Sequence, residues 1–232
     1  MLFPLYDTIP SRKKPYVVYF LIIINVVIFL YQQSLSRVSL LAFLYNYGLI
    51  PARFTNPRWE QLWQIRTGIE LVTSKFFTFL SHMFLHGGWS HLIGNMWFLA
   101  VFGDNVEDAL GHVRFALFYL AGGIFAALTH FAFNLTSTVP IVGASGAISA
   151  VMGAYYVLFP YSRIISFVPL FFLPFLVAIP AAFYLFVWFL MQVINGLFDN
   201  ILRSGVAYWA HAGGFVFGIL IGLWKRRSYY RW

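Results

Sequence analysis

Two stretches decide the reading of this chain: Gly143-Ala144-Ser145-Gly146-Ala147-Ile148-Ser149 and Ala210-His211-Ala212-Gly213-Gly214. Both lie in sequence apolar enough to span a membrane. A hydroxyl and an imidazole are the groups with which a hydrolase makes and activates a nucleophile. Polar groups in hydrocarbon are costly, so their presence there is a mark of function. This pairing points to proteolysis inside a membrane.

Working outward, the composition fits that setting. The chain has 232 residues, of which 61% are hydrophobic, 21% aromatic and only 9% charged. A soluble domain carries about 25% charged residues. A chain of this size has too little interior to hide so much apolar surface, so lipid must be its solvent. The length suits one compact bundle of about six helices, and no shift in composition marks a second domain.

The net charge of +8 is placed like a topology signal. Arg12, Lys13 and Lys14 precede the first apolar run, and Lys225, Arg226, Arg227 and Arg231 follow the last. Clusters that flank spans obey the positive-inside bias. They do not form the basic, base-stacking face that nucleic acid would need. The absence of cysteine excludes disulfides and thiol catalysis. No small-residue cleavage site follows residues 16–31, and more spans do, so that run reads as a retained helix.

Spans are expected near 16–31, 89–106, 113–133, 145–158, 175–194 and 206–224. Between the first two lies a long mixed segment. Its periodic Leu40, Leu41, Phe43 and Leu44 suggest short interfacial helices, and Gly87-Gly88 breaks the chain before the second span. Asp104, Asn105, Glu107 and Asp108 read as an acidic turn. Pro180 should kink or start the fifth helix, and Asp199 and Arg203 fall in the loop after it. Six spans place both termini on one side, which the basic clusters make cytoplasmic. The expectation is a multi-pass integral protein of the plasma membrane.

That order makes the second, fourth and sixth spans parallel, with His91, Asn95, Ser145 and His211 near their outer ends. The fourth span, at about 1.5 Å per residue, is roughly 21 Å long. The hydrocarbon is about 30 Å thick, so Ser145 should sit below the outer surface. A serine at a helix N-terminus has free backbone N–H groups and the positive dipole end beside it, which suits a developing oxyanion. Small residues recur every four positions, as Ser145, Ser149 and Gly153 and as Ala210, Gly214, Gly218 and Gly222. Such stripes let membrane helices approach closely. If they face each other, Ser145 and His211 come within hydrogen-bond reach. His91 and Asn95, at i and i+4, share a helix face, and both can donate to a carbonyl oxygen.

At these residues the chain resembles the rhomboid family of intramembrane serine proteases. The matching motifs are His86-Gly-Gly-Trp-Ser-His91-Leu-Ile-Gly-Asn95, Gly143-Ala-Ser145-Gly146, and Ala210-His211-Ala-Gly-Gly214 followed by Gly218. The resemblance implies an all-α membrane protein, a compact bundle of six transmembrane helices with a long, partly membrane-embedded first loop. Ser145 would be the nucleophile and His211 the general base, a dyad without an acid. Asn95, His91 and the Ser145 backbone N–H would form the oxyanion hole. The Asp104–Gly111 turn, with Glu107, would be structural, and the fifth helix with the loop after it would form a mobile gate. Substrates would be single-span membrane proteins met in the lipid bilayer, with no cofactor and no metal. Two positions depart from the family pattern. Lys75-Phe76 stands where many members carry Trp-Arg, and Ser149 stands where some have an aromatic that stacks on the catalytic histidine.

Other readings compete. Ser145 alone could be a packing residue, and Glu107 is expected as a cap or turn residue. His82 and His86, with His91, could hold a metal, but no carboxylate joins them. His130 reads as packing. A transporter would want buried charge or inverted repeats, and neither is present. A non-catalytic binder of membrane helices is the main alternative to an enzyme, and the intact Ser145 and His211 speak against it. The sequence carries no signal of oligomeric state.

Overall fold

A computed structural model describes residues 3–170, 173–198 and 205–229. Strand β1 (Phe3–Asp7) precedes helix α1 (Tyr16–Ser34). Short helices α2 (Arg37–Tyr47), α3 (Ala52–Thr55), α4 (Trp59–Thr67) and α5 (Thr78–Ser81) lead to α6 (Trp89–Leu110) and α7 (His112–Phe133). Helix α8 (Ser145–Leu158), strands β2 (Arg163–Leu170) and β3 (Leu173–Pro180), and helices α9 (Ala181–Phe198) and α10 (Tyr208–Tyr229) follow. Asp199, Arg203 and Arg231 lie outside the described residues, as does most of the loop expected to gate the site.

Among the described helices, α1, α7 and α9 are long and apolar enough to cross a membrane, and α8 is apolar but shorter. Helices α6 and α10 match α7 in length at 22 residues. Their apolar character is diluted by His91, Asn95 and Asp104 on one and by His211 and Lys225 on the other. Three membrane-length helices in a chain of this composition make it an integral membrane protein.

Helix α8 is the centre of the bundle. Every residue from Gly146 to Tyr155 is buried, among α6, α7 and α10. It meets α10 backbone to backbone. A β-carbon on Gly214 would collide with the Gly146 carbonyl, one on Gly218 with the Ala150 carbonyl, and one on Gly153 with the Phe215 carbonyl. The small-residue stripes therefore do face each other. On α8, however, the contacting row is Gly146, Ala150 and Gly153, offset from Ser145.

The acidic segment is not a turn. Helix α6 continues through it to Leu110 and stops at Gly111, whose φ of 83° few other residues adopt. Glu107 accepts hydrogen bonds from the Val17 and Val18 N–H groups at 2.9 and 2.8 Å, and it also bonds His112. It caps α1, whose first N–H groups have no partner within their own helix. Glu107 is thus a cap, as expected, but of a helix ninety residues away in sequence.

The expected helix over 175–194 is corrected. Residues Leu173–Pro180 form β3, and α9 begins only at Ala181. The all-α expectation holds for most of the protein, to which β1, β2 and β3 add an antiparallel sheet in the order β1-β2-β3. Pro169, Pro174 and Pro180 exclude a continuous helix here, and Ile164, Ile165, Val168, Val177 and Ile179 favour strand. Phe3 pairs with Phe167, and Arg163 pairs with Pro180. The sheet is pinned to the helices. Trp97 Nε1 on α6 donates to the Pro4 carbonyl at 2.5 Å. Asp7 accepts from Asn105 Nδ2 at 2.8 Å and from the Tyr155 hydroxyl.

The segment between α1 and α6 is anchored by buried polar groups. Arg53 bonds Glu60 at 2.9 Å and the Thr73 carbonyl at 3.0 Å. Asn46 Oδ1 accepts from the N–H groups of Val72 and Thr73. Lys75, at the position where the family pattern has Trp-Arg, reaches the Arg53 carbonyl and lies over the Phe54 ring. Arg53 and Lys75 thus tie α3 to the stretch that leads into α5.

Candidate active site

Ser145 is the first residue of α8, and the chain reaches it through a turn only glycine allows. Gly143 has a φ of 125°, in the region that L side chains rarely adopt. Its N–H donates to the His82 carbonyl at 2.9 Å. A β-carbon there would lie 2.7 Å from His91 Nε2 and 3.5 Å from Asn95 Nδ2. The loop before the serine thus rests directly on the α6 face that carries both residues.

His211 sits in the first turn of α10. Its Nε2 lies 2.8 Å from Ser145 Oγ, and its Nδ1 lies 2.9 Å from Gln192 Oε1 on α9. Ser149 Oγ donates to the Ser145 carbonyl at 2.6 Å and makes no use of the histidine ring. The rings near His211 are Trp188, at a centroid distance of 6.0 Å, and Tyr208, at 6.4 Å. Neither ring stacks on the imidazole: Trp188 is tilted at 34° and Tyr208 stands edge-on. Gln192 is absent from the sequence reading. A glutamine in a long apolar run was its one signal.

On the α6 side, Asn95 is buried, and its Nδ2 has no hydrogen-bond partner among the described residues. A buried donor left unpaired is costly, so the group is suited to an acceptor that arrives with a ligand. His91 Nδ1 accepts a long hydrogen bond from the Gly87 N–H at 3.3 Å. Its ring stands edge-on to His86, 5.2 Å between centroids. Gln32 holds the His86 backbone through both its N–H and its carbonyl. His82 Nδ1 is bonded to the Thr78 carbonyl, and His130 is buried on α7. Among the described residues, no three His, Cys, Asp or Glu side chains group as a metal site.

The site is thus a hydroxyl in hydrogen-bond contact with an imidazole, at a helix N-terminus, beside a buried amide donor. Comparisons with known proteins give the family. A family model described as the rhomboid domain matches residues 73–228. The chain belongs to the rhomboid family. It is 32% identical over 158 residues to rhomboid protein 1, mitochondrial, of Saccharomyces cerevisiae, covering 66% of this chain and 42% of that one. It is 31% identical over 188 residues to rhomboid-like protease 5 of Toxoplasma gondii, covering 78% and 21%. Over 84 residues it is 38% identical to the rhomboid protease GluP of Bacillus subtilis, covering 36% and 16%. The chain therefore spans less than half the length of these relatives. The relatives include proteins named for mitochondria and for chloroplasts, which gives the plasma membrane no preference.

Proposed function

We propose that this rhomboid is a serine endopeptidase that cleaves transmembrane segments of other membrane proteins. The observation that carries the reading is the 2.8 Å contact between His211 Nε2 and Ser145 Oγ. In the reaction, Nε2 takes the hydroxyl proton as Oγ attacks the scissile carbonyl. The tetrahedral oxyanion is met by Asn95 Nδ2, His91 and the Ser145 backbone N–H. His211 then gives its proton to the leaving amine, and water hydrolyses the acyl-serine by the same steps in reverse roles.

The same reading extends to the membrane. The chain forms one rhomboid-like domain in which α1, α6, α7, α8, α9 and α10 all cross the bilayer. Helices α2 to α5 form the long first loop, lying partly in the outer leaflet. Both termini lie on the cytoplasmic side, next to the basic clusters. A 14-residue α8 starts below the outer surface and needs the surrounding helices to wall off its first turn from lipid.

The test is incubation of purified protein with a single-span substrate rich in small residues. Wild type should release two fragments and Ser145→Ala none. Equal cleavage by both proteins would refute the reading. Stable capture of the substrate by both without cleavage would favour a non-catalytic binder of membrane helices.

A further inference from the structure

His211 can serve as a base toward Ser145 only if its Nε2 carries a lone pair and its Nδ1 carries the proton. The rhomboid resemblance supplies no third residue to enforce this. The fold does. Gln192 is 5% exposed, and its Oε1 lies 2.9 Å from His211 Nδ1. Its Nε2 donates to the Trp188 carbonyl at 3.3 Å, one turn back on the same helix. A carbonyl can only accept, so that bond fixes which end of the amide is NH₂. The end facing His211 is then the oxygen, which also can only accept. Nδ1 must donate, and Nε2 is left with its lone pair aimed at Ser145 Oγ.

Resting on the peptidase reading above, we propose that Gln192 is the positioning residue of His211, holding the imidazole in the Nδ1–H tautomer and in the orientation that serves Ser145. It fills the place that a carboxylate takes in a Ser-His-Asp arrangement, but without charge. An amide places no unpaired negative charge in an apolar wall, where a carboxylate would be costly to bury. Trp188 and Tyr208 flank the ring, and the bond that Nδ1 makes is to Gln192.

The experiment compares Gln192→Leu, which keeps bulk and loses the acceptor, with Gln192→Glu, which keeps an acceptor, and with Ser145→Ala. Cleavage of a single-span substrate should show Gln192→Leu losing roughly 10- to 100-fold in kcat with KM little changed. Gln192→Glu should retain more turnover than Gln192→Leu. Independently of activity, nitrogen-15 shifts of the His211 ring, assigned by difference against His211→Ala, should report the Nδ1–H tautomer in wild type. They should report a tautomer mixture in Gln192→Leu. Wild-type kcat and an unchanged tautomer in Gln192→Leu, with Ser145→Ala inactive, would overturn this inference and leave the peptidase reading standing. Full activity in Ser145→Ala would remove both. A melting temperature for Gln192→Leu equal to wild type excludes loss of fold as the cause of its defect.

Discussion

Helices α8 and α9 both contribute to the candidate site, yet they are held very differently. Helix α8 meets α10 with glycine against carbonyl at three places and is buried over ten consecutive residues. Helix α9 buries only Ala181, Tyr184, Leu185 and Gln192 along its length, and Phe183, Phe186, Leu190 and Ile194 face outward. The serine and histidine thus stand on an interface with almost no freedom to separate. Gln192, which bonds the histidine, stands on a helix with a thin seat. The difference teaches a division of labour. On the proposed reading, close backbone packing sets the distance between Ser145 and His211, and one buried amide sets the direction in which the imidazole points.

The comparison can be broken first at the chemistry. Ser145→Ala and His211→Ala should each reduce cleavage by about 10⁴-fold or more, and the double variant should be no worse, because the pair acts as a unit. Additive losses measured in a cleavage assay would mean that the two side chains work separately. Asn95→Ala comes next, with turnover lower by about 10²–10³-fold and an unchanged melting temperature, since its Nδ2 bonds nothing in the described structure. A lower melting temperature with normal turnover per folded molecule would instead make Asn95 a packing residue.

The same substitution at the two helix seats sharpens the contrast. Gly218→Ala drives a methyl into the Ala150 carbonyl, which cannot step aside. It should cost about 1–3 kcal/mol or more and lower the melting temperature. Gly196→Ala on α9 meets the Trp209 indole, a side chain and not backbone, at 3.2 Å, and should cost less than Gly218→Ala. Equal losses at both would erase the difference between the seats.

The smallest effect is expected at the sheet. Asp7 is pushed up to about 6 by burial, with nearby Asp104 adding to the rise and the Tyr155 hydroxyl and backbone N–H groups opposing it. A raised carboxyl favours the docked strand while protonated, so that contribution is present at low pH and fades as pH rises through about 6. Hydrogen-exchange protection of residues 3–8 should therefore be greater at pH 5 than at pH 7.5. In Asp7→Asn the pH dependence should shrink. Protection that rises with pH in wild type would reverse the sign of this account.

How legible each part was follows from where its information lies. Ser145, His211, His91 and Asn95 announce themselves because polar groups in apolar runs are rare, and the small-residue stripes say which helices touch. The sheet left no such mark. Apart from Arg163 and Ser166 the sequence over 163–180 is apolar throughout, so its pattern matches a membrane helix as well as a strand, and β1 pairs with β2 across some 160 residues of sequence. Only the three prolines hinted at it. Gln192 was hidden for a related reason. Its facing toward His211 depends on how α9 packs on α10, which spacing within α9 does not specify. The Arg53–Glu60 anchor likewise needs the α3–α4 turn to bring its ends together.

The central claim is that His211 activates Ser145, and an active-site label tests it most directly. Purified protein should be treated with a serine-directed phosphonate and the adduct located by mass spectrometry. The account predicts a stoichiometric adduct on Ser145 in wild type and none in either Ser145→Ala or His211→Ala. An adduct on Ser145 that forms at the wild-type rate in His211→Ala, or no adduct at all on a wild-type protein that is folded, would contradict it.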